Sequence, residues 1–139
     1  MKKRAIVKEI MNTELKSISL HDGSVQEAKD IMEKHNIRHL PVTNGDKLEG
    51  IISLTDIKRV SFGANYGQEE TVDKAIFNSL DLAQVMAHGL TTITAETTIK
   101  EAAEILSSNE FHALPVVEGD KIEGIVTTTD LITYLLEQY

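Results

Sequence analysis

The chain has 139 residues, a formal net charge of −8 and no cysteine. That length suits one ordinary domain's worth of buried core. The charge argues against nucleic acid as the main partner, because neutralising phosphates needs clustered Lys and Arg, and the lack of cysteine removes disulfides, thiolate metal sites and thiol nucleophiles.

The start, Met1-Lys2-Lys3-Arg4, is basic, but Lys8 and Glu9 interrupt it before any apolar run of signal-peptide length. No stretch is apolar for the length of a membrane span, so the expected location is cytoplasmic, without a membrane partner. Val7 to Met11 reads as a short helix leading into a first unit, and Ala83 to Met86 is its counterpart later. Lys16 to Ser19 and Thr91 to Thr94 have β-branched content and no helical period, which predicts short strands. Ser24-Val25-Gln26-Glu27 and Thr98-Ile99-Lys100-Glu101 fit a capping box and open helices. Val25, Ala28 and Met32 share one face, as do Ile99, Ala102 and Leu106. Asn36 and Asn109 stand near the helix ends, where a residue tolerant of left-handed backbone is expected.

Ile37 to Asp56 (IRHLPVTNGDKLEGIISLTD) comes next, and Phe111 to Asp130 (FHALPVVEGDKIEGIVTTTD) repeats it. Aligned at an offset of 74, the two match at 11 of 20 positions. The chain is therefore two copies of one unit. Arg38 to Thr43 with Leu48 to Ser53, and Ala113 to Val117 with Ile122 to Thr127, read as hairpins around Gly-containing turns. Thr55 and Thr129 are expected to cap a second helix in each unit, and the last helix carries an apolar stripe of Leu131, Leu135 and Leu136. The joint, Ser61 to Val72, reads as a surface loop because of Gly63, Asn65, Gly67 and Glu69-Glu70. The expected division is residues 1–62, a linker over 63–73, and residues 74–139, with an α+β fold.

Arg38-His39-Leu40-Pro41-Val42 with Gly50 to Asp56, and His112-Ala113-Leu114-Pro115-Val116 with Gly124 to Asp130, resemble the CBS domain, the module named for cystathionine β-synthase. Both motifs, in order and twice over, make the chain similar to a CBS pair from about Val7 to Leu136. The resemblance implies a pseudo-twofold pair with clefts between the units that bind adenine nucleotides or relatives: AMP, ADP, ATP, NAD or S-adenosylmethionine. It also implies a regulatory role towards an effector protein, here with no attached enzyme or channel domain, and dimerisation through helices.

The resemblance gives Asp56 and Asp130 the ribose diol, and a carboxylate suits it because charge-assisted bonds are strong. Without a ligand the same residues simply favour the start of a helix. Ser53 and Thr127, one alternation back from Thr55 and Thr129, are the better ligand donors of these four hydroxyl residues. Arg38 and His112, three positions before the Pro, are placed by the resemblance against phosphate. Arg offers a permanent fork, whereas His titrates near neutral pH. His39 points to the other face of the strand and ranks lower. Ser17, Ile18, Thr92 and Ile93 on the first strands, with Ile37 and Phe111, are candidate walls of an adenine slot; as single residues each fits a plain core role too. The difference between Arg38 and His112 predicts unequal sites.

Five histidines show no metal-ligand spacing, and no nucleophile–base pair or paired carboxylates occur, so neither metal binding nor catalysis is expected and no cofactor is assigned. The expected function is non-enzymatic sensing of an adenosine-containing ligand, with binding tightening the two units. Its competitor is a structural dimerisation or interaction module with no physiological ligand. A homodimer is expected through the final helix.

Overall fold

The computed structural model describes residues 4–61 and 69–139, without the side chains of 69–72. The fold is α+β and divides into two compact units. One comprises Lys16–Leu90 and carries the first repeat. The other joins Met1–Leu15 to Thr91–Tyr139 and carries the second.

In the first-repeat unit, β1 (Ile18–Ser19) runs parallel to β2 (His39–Asn44), which forms an antiparallel hairpin with β3 (Lys47–Ser53). Gly45 has φ +63°, which glycine adopts without steric cost, and the turn closes over two residues. The pairing shifts at Val42/Thr43, so Glu49 is the extra residue on β3. α1 (Val25–His35) starts where the Ser24 hydroxyl accepts from the Glu27 N–H and ends at Asn36 in left-handed backbone (φ 53°). Val25, Ala28 and Met32 on its inner face pack against Leu40, Val42 and Ile52. α2 (Leu54–Arg59) follows β3 directly. α3 (Glu69–Ser79) lies against α1 and adds fully buried Phe77 to the core, and α4 (Leu82–Val85) adds Leu82.

The second-repeat unit repeats this plan. α5 (Ile99–Ser107) buries Ile99, Ala102 and Leu106, β4 (Ala113–Glu118) pairs with β5 (Lys121–Thr127), and α6 (Thr128–Glu137) follows. The same register shift recurs at Val116/Val117.

Four expectations are corrected. The predicted strand Thr91 to Thr94 is only a single parallel bridge, Ile93 to Val116, and Lys16 and Ser17 lie outside β1; exposed side chains there leave nothing for a longer strand to bury. Asn109 does not take left-handed backbone; its side-chain amide instead donates to the Ile105 carbonyl, satisfying a helix-end acceptor. Glu69 to Val72, expected in a loop, form the first turn of α3; residues 62–68 of that loop lie outside the described residues. The lead-in segments also serve the opposite repeat from the one they precede or were matched to. Val7, in a short 3-10 turn (Val7–Glu9), lies in one core with Ile93, Ile99, Leu114 and Val126, whereas Leu82 and Met86 join the core of Leu40 and Ile52.

Glycines in the hairpins admit those lead-ins. A Cβ on Gly50 would stand 2.6 Å from Met86 Sδ and 2.7 Å from the Ala87 carbonyl oxygen; one on Gly124 would stand 2.9 Å from Met11 Sδ and 3.1 Å from that of Asn12. The bare backbone lets Ala87 pair with Ile51 and Asn12 with Ile125.

Candidate functional site

Both units build the same small constellation where the hairpin's second strand becomes a helix. The Ser53 N–H donates to Asp56 Oδ2 at 2.8 Å, and the Asp56 N–H donates to Ser53 Oγ at 3.1 Å. Thr127 and Asp130 repeat both bonds at 2.8 and 3.1 Å. This reciprocal box satisfies two backbone donors that the helix start leaves unpaired. It also locks each carboxylate in one orientation.

Ser53 and Thr127 are therefore the N-caps, correcting the expectation that Thr55 and Thr129 cap; those two sit in the first helical turn with exposed side chains. The signal was present as Ser53-x-x-Asp56 and Thr127-x-x-Asp130, which is capping-box spacing. Each cap hydroxyl uses its oxygen as acceptor, and its proton has no acceptor among the described residues. It can donate to a ligand oxygen.

Arg38 and His112 stand beside this constellation. The Arg38 carbonyl accepts from the Leu54 N–H at 3.1 Å, and the His112 carbonyl from the Thr128 N–H at 2.9 Å. Residues 38 and 112 are thus tied by backbone to the first residue of α2 and of α6, and both side chains are exposed. Ser17 and Thr92 are exposed, while their neighbours Ile18 and Ile93 are buried in the two cores. Ile18 also lies under the chain at Gly23, where an added Cβ would collide with its side chain. Ile37 packs on the edge of its core, and Phe111 is exposed.

Arg59, which motif reasoning missed, touches the constellation directly. Its Nη1 lies 3.3 Å from Asp56 Oδ1, the oxygen the capping box leaves over. The i,i+3 spacing on a helix was the available signal. Thr133 holds the matching place in the second unit, and among the described residues no hydrogen bond or ion pair reaches Asp130 Oδ1. The units thus differ in cations at both edges: Arg38 and Arg59 in one, His112 and Thr133 in the other.

On α6, Leu131 packs partly against the core, while Ile132, Leu135 and Leu136 are exposed. Among the described residues no group of three or more His, Asp or Glu side chains is placed to hold a metal ion, and no helix is long and apolar enough to cross a membrane.

Comparison with known proteins gives one consistent result. The CBS domain pattern matches residues 7–63 and 82–137. An uncharacterized protein, MJ1225, of Methanocaldococcus jannaschii is 30% identical over 74% of this chain and 38% of its own length. An inosine-5'-monophosphate dehydrogenase of Thermoplasma acidophilum is 30% identical over 78% of this chain but only 19% of its own. The chain thus spans well under half the length of these two relatives. The CBS domain-containing protein YhcV of Bacillus subtilis is 25% identical, over 90% of this chain and 81% of its own. Among solved structures, the CBS domain pair of protein MJ0100, in complex with 5'-methylthioadenosine and S-adenosyl-L-methionine, superposes with a TM-score of 0.75 at 25% identity, covering 97% of this chain and 98% of that one. CBSX2 in complex with AMP has a TM-score of 0.78 at 22% identity, over 96% and 98%, and so speaks to fold alone. Two matched segments, two capping boxes and two hairpins in the same order place this chain in the CBS domain family, as a tandem pair.

Proposed function

We propose that this CBS pair is a non-enzymatic regulatory module that senses an adenosine-containing ligand: AMP, ADP, ATP, or a relative such as NAD or S-adenosylmethionine. The observation that carries this reading is the duplicated box of a cap hydroxyl and an oriented carboxylate, each with bonding capacity left over. Asp56 and Asp130 accept from a ribose diol, and Ser53 and Thr127 donate to a sugar or phosphate oxygen. Arg38 supplies a permanent positive fork for phosphate, which a chain of net charge −8 must provide locally, and His112 offers a ring N–H in the corresponding place. Thr55, Thr129, Ser17 and Thr92 are exposed and are read as secondary contacts to the sugar or base. Ile18 and Ile93 act through the core that holds the first strand in place. The MJ0100 pair, bound to two adenosine derivatives, supports the ligand class.

The nucleotide is a ligand and not a cofactor, and the output passes to an effector protein. A ligand shifts such a module only by its difference in affinity between two states. The protein acts in the cytoplasm as a homodimer through the exposed face of α6. That same face favours a second reading, an interaction module without a physiological ligand. Thermal unfolding with AMP, ADP, ATP, NAD and S-adenosylmethionine in turn separates the two. A one-site ligand at about 100 times its Kd adds roughly 2.7 kcal/mol. A shift with at least one of them supports sensing; no shift with any leaves the interaction module.

A further inference from the structure

This inference rests on the sensing reading and deepens it. We propose that Arg59 makes the Asp56 site selective for nucleotides that carry a phosphate, by exchanging Asp56 for the ligand's anion, whereas the Asp130 site accepts nucleosides without one. In both units Oδ2 is held by the backbone N–H of the cap residue. Most of the acceptor capacity left for a ribose diol therefore lies at Oδ1. At Asp130 that oxygen is not engaged by any described residue. At Asp56 it is ion-paired with Arg59, and the Asp56 side chain is only 14% exposed, so a diol seats there when the guanidinium moves aside.

Moving it is easy, because the pair is a single 3.3 Å contact and Arg59 is 74% exposed. Its new partner decides which ligands gain. A nucleoside without an anion leaves Arg59 with solvent only. A nucleotide presents a phosphate one sugar ring away from the diol, within reach of a long and mobile side chain, and offers the forked geometry that guanidinium matches. The swap conserves ion pairing in one case and loses it in the other. With Thr133 at the equivalent place, the second unit has no such condition to meet.

The test is isothermal titration of AMP and of adenosine. Asp130→Asn isolates the Asp56 site, and Asp56→Asn isolates the Asp130 site. The AMP-over-adenosine affinity ratio is expected to be higher at the Asp56 site. Adding Arg59→Thr should lower that ratio about two- to fivefold, in line with a surface ion pair, while adenosine itself binds as well or better. Arg59→Lys should retain part of the ratio. Thr133→Arg in the Asp56→Asn protein should raise the ratio at the other site. Arg59 is exposed, so its replacement leaves the fold intact. Binding with an unchanged ratio, or a loss of adenosine affinity in Arg59→Thr, overturns the exchange but leaves the sensing reading standing. No binding of either compound to either single variant or to the unmutated chain overturns both.

Discussion

The helix after each hairpin meets different surroundings in the two units. In the first-repeat unit α3 brings Phe77 into the core that holds Ile57 of α2, and both are nearly inaccessible. At the matching place in the second-repeat unit stands Leu131, only partly buried, and among the described residues no helix corresponds to α3. The outward positions differ in the same sense: Lys58 and Ser61 in the first copy correspond to Ile132 and Leu135 in the second. One copy of a duplicated unit has thus closed its outer side within the chain, and the other presents apolar side chains outward. The residues around the two capping boxes differ as well, with two arginines beside Asp56 and none beside Asp130.

The largest expected effect tests the first half of that comparison. Phe77→Ala should destabilise the protein by about 3–5 kcal/mol, as a large buried side chain leaves a cavity. Leu136→Ser, at a side chain 68% exposed, should change stability by no more than about 0.5 kcal/mol, yet weaken self-association in analytical ultracentrifugation. A monomer for the unmutated chain would remove the dimer reading of α6. Next are the strand glycines, whose crowding is unequal. Gly50→Ala drives a Cβ against the Ala87 carbonyl and should cost about 1–3 kcal/mol in urea unfolding. Gly124→Ala meets looser neighbours and should cost less. The reverse order would mean that the two lead-ins are held differently from what the geometry indicates. The caps follow. Ser53→Ala and Thr127→Ala should each cost about 0.5–2 kcal/mol, and by similar amounts, because the two boxes share their bond lengths.

Much of this fold was legible because it is written in local chemistry. The hairpins follow from apolar runs around Gly45 and Gly119, and α1 from its cap at Ser24 and its end at Asn36. The exchanged lead-ins were not legible. Val7 to Met11 and Leu82 to Met86 offer similar apolar spacing, and nothing local tells which core will take them; only tertiary packing decides. The helix at Glu69 was hidden by a glycine-rich approach that reads as loop, although its buried Phe77 lies well inside the helical stretch. In the candidate site Asp56, Asp130, Arg38 and His112 could be singled out from the repeated motif. The division of labour between Ser53 and Thr55 could not be settled by composition, since both hydroxyls lie at the start of the helix, and spacing to the carboxylate was the better guide. Arg59 was overlooked because it falls past the motif, one helical turn beyond the aspartate.

Unequal adenosine sites are the central claim, and titration calorimetry of AMP against the unmutated chain, Asp56→Asn and Asp130→Asn tests it most directly. Each substitution should lower the affinity or the stoichiometry, with the larger loss of AMP binding in Asp56→Asn, the variant that disables the site flanked by Arg38 and Arg59. Equal losses in the two variants, or binding unaffected by either, would contradict the account.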